Sequence, residues 1–238
     1  MFTVFLDAGH GGDSPGASYK GRKEKDDTLR LCLALKKKLE KTGKFRVLLS
    51  RDDDVNPSIT ERCAVANREK ADYFLSVHRN AFSPEKAQGA ESWVKSSVKT
   101  DGYTYAYAKM LTDAAATAGG FINRGVKRGA PAYADYGVNR LTQMHSCLLE
   151  LGFIDSTEDN ERFDAHFDGI VSALCAAFMK IFGLDTKEKP TVDDARTALR
   201  AAIGLEKTSD DKKYDLDGDG VVTVEDARGV LRRALGLE

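Results

Sequence analysis

The chain has 238 residues, 42% of them apolar and 31% charged, with a formal net charge of −1. This is the composition of a globular chain with room for one ordinary domain and a small appendage. The near-neutral balance leaves no electrostatic footprint for nucleic acid, and the absence of an apolar run of about 18 residues excludes a membrane-spanning helix.

Taken in order, Phe2 to Asp7 reads as a buried strand. Lys25 to Lys41 reads as a helix, because Leu29, Cys32, Leu35 and Leu39 fall three and four apart on one face, and Gly43 stops it. Phe45 to Ser50 is a strand. Ser58 with Glu61 three residues on forms a capping box that opens a helix reaching about Lys70. Tyr73 to Val77 and Ala90 to Val94 are strands, and Tyr103 to Ala118 is helical up to the Gly119-Gly120 break. Residues 121–144 give no clear pattern beyond a short helix or strand end at Val138 to Leu141. Ser146 to Leu151 is a strand. Phe163, Phe167, Ile170, Leu174, Phe178 and Ile181 mark one long amphipathic helix closed by Gly183. Short apolar strands alternating with helices predict an α/β fold, a three-layer αβα arrangement around a twisted, mostly parallel sheet.

Residues 185–190 are polar and end in Pro190, which reads as a linker between a domain over 1–184 and a module over 191–238. That module is an internal repeat. TVDDARTALRAAIGLE (191–206) and TVEDARGVLRRALGLE (223–238) share eleven of sixteen positions at an offset of 32, as expected of two similar helices packed together. The four cysteines form no CxxC pair. Cys32 and Cys175 fall on apolar helix faces and Cys147 inside a strand, so free buried thiols are expected.

Four polar residues stand where buried strands end or a helix begins. They are His10 after the first strand, Glu24 before the first helix, His78 after the Tyr73 strand, and Glu150 within Leu148-Leu149-Glu150-Leu151. Strand ends on one edge of an open α/β sheet converge, and ligands bind there. Taken singly each has a plainer reading: a hydrogen-bonded histidine, or a first-turn glutamate facing a helix dipole. Together, His, Glu and His make a zinc set with a position left for water, and Glu150 in an apolar run needs a partner for its charge.

The blocks DAGHGG (7–12), Gly16-Ala17, EKD (24–26), LSVHRNA (75–81) and LLELGF (148–153) resemble the zinc-dependent N-acetylmuramoyl-L-alanine amidases of bacterial cell-wall metabolism. Arg51, Asp54, Arg62, Asn67, Gly89 with Glu91, and Val138-Asn139-Arg140 add to the resemblance, which covers about residues 1–182. It implies that His10, Glu24 and His78 bind zinc and that Glu150 is the catalytic acid/base. It also implies that peptidoglycan is the substrate, cut between N-acetylmuramic acid and L-alanine. Asn80 and Arg79 are candidate substrate contacts. His145 and His166 are not expected to bind zinc. His145-Ser146 departs from the Pro-Ala common in the family, and Arg79 stands where a small residue is usual. Met1 leads straight into a strand with no signal-peptide pattern. The expectation is an endolysin or autolysin held in the cytoplasm until release, or a secreted enzyme if a signal was removed. Two rival readings fit the same residues: a zinc carboxypeptidase trimming stem peptides, and a non-catalytic wall-binding or cohesin-docking protein.

In the tail, Asp215, Asp217 and Asp219 with Gly220, the Val221 carbonyl and Asp226 follow the spacing of a calcium loop. With the helical repeat this resembles a dockerin, a module with two such loops, which implies bound calcium and cohesin docking. Shifting by 32 places Gly183, Asp185 and Lys187 where the other loop's acids belong, so one calcium-binding helix–loop–helix is expected. Structural capping, self-association and wall targeting are the alternatives to cohesin docking.

Overall fold

The structure is a computed structural model that describes residues 1–130, 135–184, 190–206, 211–216, 220–235 and 237. The chain divides into two compact units, Met1–Leu184 and Asp185–Glu238.

The first unit is built on a six-stranded sheet. Its strands are β1 (Phe2–Ala8), β4 (Phe45–Leu49), β5 (Tyr73–Asn80), β6 (Ala90–Val94), β7 (Asn123–Arg128) and β8 (His145–Phe153). The order is β4-β1-β5-β8-β6-β7. All neighbours are parallel except β6 and β8, so β6 and β7 run against the rest. A two-stranded ribbon, β2 (Ser18–Tyr19) with β3 (Arg22–Lys23), precedes the first helix. The expected mostly parallel, helix-flanked sheet is thus present.

Period-two alternation sorts the strand side chains between two faces. Val4, Leu6, Tyr73, Leu75, Cys147 and Leu149 enter the larger core cluster. That cluster also takes the apolar faces of α1 (Glu24–Lys41), α3 (Tyr103–Gly119) and α6 (Phe167–Ile181). The intervening Phe5, Phe74 and Leu148 enter a smaller cluster with Cys63 and Ala66 of α2 (Ile59–Arg68) and Val138 of α4 (Gly137–Leu141). Asp7, Ser76, His78 and Glu150 follow this second alternation. The sheet therefore presents them at the end of its less thickly covered face.

Local signals explain most boundaries. Ser58 and Glu61 make both bonds of the capping box at the start of α2. Leu31, Cys32, Leu35 and Leu39 of α1 are fully buried, as their spacing requires. The single long helix expected through Ile181 is instead two, α5 (Thr157–Ala165) and α6, which break at His166. Ser156 caps the first, accepting from the Asp159 amide at 3.3 Å. Phe163 and Phe167 keep helical spacing across the break and meet edge to face, 5.6 Å between centroids, so periodicity alone conceals it. All four cysteines are free and buried.

The second unit holds α7 (Val192–Ala202), α8 (Asp211–Tyr214) and α9 (Val224–Leu235). Ala195, Ala198, Tyr214, Ala227 and Val230 form its small core. Thr191 and Asp194 cap α7 reciprocally, and Thr223 and Asp226 repeat the arrangement 32 residues on. Asp226, expected as a calcium ligand, is buried, and its oxygens accept from the Thr223 amide and hydroxyl and from the Leu216 amide. Asp217 and Asp219 lie outside the described residues. Asp215 accepts from the Gly220 amide at 2.9 Å.

Candidate metal centre and active site

His10 follows β1 in the left-handed region, φ 62°. That conformation is uncommon for a residue with a side chain, and the surrounding bonds over-determine it. Two buried guanidinium groups hold the turn. Arg51 donates to the carbonyls of Ala8 and Gly9. Arg62 donates to the carbonyls of Ala8 and His10 and forms a 2.9 Å ion pair with buried Asp7. Ser76 donates to the other Asp7 oxygen at 2.7 Å. A strand end that leaves the sheet thereby has its polar backbone satisfied by side chains.

Glu24, the first residue of α1, is 4% exposed. Its Oε1 lies 2.8 Å from His78 Nδ1 and its Oε2 lies 3.2 Å from His10 Nε2. The amides of Ala17 and Arg79 also donate to it. One donor atom from each of His10, Glu24 and His78 fits within a group whose members are all within 4.8 Å of one another. Two glycines make this approach possible. A Cβ on Gly9 would sit 2.5 Å from the His78 ring, and one on Gly16 would sit 2.5 Å from Glu24 Oε2.

Glu150 lies beside this group on β8, opposite His78 in register. It is buried, and its Oε2 has no hydrogen-bond partner. Burial pushes its carboxyl up to about 8; His78 opposes the rise while Glu24 and Glu91 add to it. Burial disfavours the charged form of His78, but its bond and charge interaction with Glu24 prevail and hold it at about 9. Glu24 is likewise opposed by burial, yet the two imidazoles hold its carboxyl well below the usual range. In this arrangement protonated imidazole supplies the positive charge that a bound cation would bring.

The residues fit a divalent metal. Donors on one tetrahedral zinc lie roughly 3.4 Å apart, close to the 2.8 and 3.2 Å that separate Glu24 from the two imidazoles, and two imidazoles with a carboxylate leave one position open. Glu150 stands beside the group with a buried oxygen that has no hydrogen-bond partner. All four line a cleft of about 590 Å³ with Asn80, Tyr136 and Arg62.

The two candidate substrate residues differ in what they can offer. The Arg79 guanidinium is buried, pairs with Asp27, donates to Asn160 and lies over the Phe163 ring. Asn80 is half-buried at the cleft, donating to Glu91 and accepting from the Ala81 amide. His145 is bonded to Thr104 and His166 ends α5, away from the group. Glu91 on β6, which the sequence offered only as part of the family resemblance, lies next to Glu150. It pairs with Glu150 across the sheet and takes bonds from Asn80, Trp93, Arg124 and Lys127. Burial opposes its ionisation, but Lys127, Arg124 and Trp93 outweigh that and keep its carboxyl low.

An open, mostly parallel sheet with a His-Glu-His donor group and a buried glutamate at its strand ends defines a candidate metallohydrolase. The Amidase_3 family, described as N-acetylmuramoyl-L-alanine amidase, matches residues 4–177, and the chain belongs to that family. It is 37% identical over 163 residues to the N-acetylmuramoyl-L-alanine amidase CwlM of Bacillus licheniformis, covering 68% of this chain and 60% of that one. It is 35% identical over 181 residues to the endolysin of Bacillus phage SPP1, covering 72% and 65%. The chain thus spans less than two thirds of the length of these relatives. The catalytic domain of CwlV from Bacillus (Paenibacillus) polymyxa superposes with a TM-score of 0.70 at 26% identity, covering 78% of this chain and all of that one. An N-acetylmuramoyl-L-alanine amidase from Clostridium difficile 630 gives 0.69 at 29%, covering 78% and 98%.

Proposed function

We propose that this chain is a zinc-dependent peptidoglycan hydrolase that cleaves the amide joining the lactyl group of N-acetylmuramic acid to L-alanine. The observation that carries the reading is the buried Glu150 carboxyl, its Oε2 without a hydrogen-bond partner, beside the His10–Glu24–His78 donor group. Zinc, when bound there, polarises a carbonyl and acidifies water. Glu150 accepts the proton of the attacking water and returns it to the nitrogen of the departing L-alanine. Its carboxyl, raised towards neutrality by burial, is poised for both transfers. Glu24 fixes both imidazoles, and Arg51 and Arg62 fix the turn that presents His10. The family and the endolysin and amidase relatives support action at the cell wall. No helix among the described residues is long and apolar enough to cross a membrane.

A calcium ion in the loop Asp215, Asp217, Asp219, Val221 and Asp226 belongs to the same proposal, supported by the spacing of those residues. The helical repeat supports a docking role for the second unit, towards a cohesin or another copy of the chain.

Digesting purified peptidoglycan and identifying new termini tests the catalytic reading. Free L-alanine amino groups with intact stem peptides are expected, and Glu150→Gln should lower the rate by about 10²–10⁴. Release of C-terminal D-alanine would instead make the chain a carboxypeptidase. Clearance no faster than the Glu150→Gln variant would make it a binding protein.

A further inference from the structure

A second cavity of about 530 Å³ adjoins the cleft and shares Asn80, Ala81 and Tyr136 with it. Its charge is unlike the cleft's. Among the described residues, Lys86, Arg124 and Lys127 line it against one carboxylate, Glu91, with Trp93 among its walls. Arg124 and Lys127 both bind Glu91, so one carboxylate serves two cations and the cavity keeps a positive excess. Trp93 and Tyr136 meet edge to face at 5.9 Å, and Lys127 lies 5.3 Å from the centre of the Trp93 ring. The sheet register places this cavity. His78, Glu150 and Glu91 form one row across β5, β8 and β6, and Leu148, Trp93 and Lys127 form the next across β8, β6 and β7. At about 4.8 Å per strand, Lys127 stands two strands, roughly 10 Å, from the strand of Glu150.

We propose that this cavity is a subsite for the α-carboxylate of the second stem-peptide residue, and that it makes the chain favour free D-glutamate there over its amide. The inference rests on the amidase reading. With the scissile amide at Glu150, L-alanine and a γ-linked D-glutamate reach about 7 Å or somewhat more along the groove, towards Trp93 and Lys127. The α-carboxyl of that second residue is a free anion in some peptidoglycans and an amide in others. Lys127 and Lys86 supply charge-assisted donors to the anion, while an amide at the same place forgoes the attraction. Glu91 keeps the cations fixed without neutralising both.

Calorimetry of L-alanyl-D-glutamate γ-methylamide, whose one carboxylate is the α group, and of its α-amide with the full chain tests this without requiring turnover. The acid should bind at least tenfold more tightly, and the preference should shrink to threefold or less in Lys127→Gln and narrow in Lys86→Gln. Lys86 is exposed, so its replacement leaves the core packing intact. Equal affinities, no measurable binding of either dipeptide, or a preference unchanged in both variants would overturn the subsite, whether or not the chain cleaves walls. A chain that frees no L-alanine amino groups yet prefers the acid would sink the amidase reading and leave the subsite standing.

Discussion

Gly16 and Gly9 lack side chains where Glu24 and His78 already occupy the space. Such crowding means that the donor group is set by close backbone approach as much as by its donors. The titration of His78 follows from the same contacts. Metal binding needs the neutral imidazole, whereas the Glu24 pair holds His78 protonated up to about pH 9. Apparent zinc affinity should therefore rise about tenfold per pH unit between 7 and 9 and level off above. Competition against a chelating indicator at fixed pH values measures this, and a flat profile would contradict it. In the metal-free chain the pair acts on stability in the opposite sense. Glu24, lowered from 4.5, contributes fully above that pH; His78, raised from 6.5, contributes fully below that value. The joint contribution is complete between those two values and is lost as pH rises through about 9. His10, Glu24, His78 and Glu150 were legible in the sequence because each breaks an apolar pattern at a strand end or helix start. Glu91 carried no such mark, since its four donors come from β5, β6 and β7 and only the sheet order unites them.

At the scale of elements, β1 and α2 are joined by one buried ion pair. Arg62 is 5% exposed and Asp7 1%, and Arg62 also satisfies the carbonyls of Ala8 and His10. Arg62→Met should cost about 3–5 kcal/mol, because it strands a buried carboxylate. In a domain of this size that is a fall in Tm of roughly 10 °C, measurable by calorimetry; a fall of under 2 °C would show that water or rearrangement relieves Asp7. The helices and central strands could be read from their periodicity, but β7 could not. Asn123-Arg124-Gly125-Val126-Lys127-Arg128 is an edge strand with no buried residue, so it has no apolar alternation to display. The short α4 contributes Val138 and Asn139 to the interior, too few residues to set a period. The break at His166 was hidden for the opposite reason, because Phe163 and Phe167 keep helical spacing across it.

At the scale of the whole molecule, the two compact units have separate cores. Among the described residues the second buries Ala195, Ala198, Tyr214, Ala227 and Val230, and its loop acids are expected to need a cation. Adding calcium to the chelated chain should therefore raise a second, lower melting transition by several degrees and leave the first unmoved. A calorimetric trace indifferent to calcium would leave Asp226 as a helix cap and nothing more. The repeat made this unit visible in the sequence, but not that Asp226 would cap α9 as Asp194 caps α7.

The four cysteines stand at 0–6% exposure, and burial raises every one of their thiols, Cys63 and Cys147 to about 11. Thiolate is the form that alkylating reagents and peroxides attack, so the folded first unit offers them almost nothing. Iodoacetamide should label these sulfurs only as fast as that unit opens, and the rate should plateau as reagent concentration rises. The same chemistry lets the fold pass between reducing and oxidising surroundings without acquiring or losing a covalent bond.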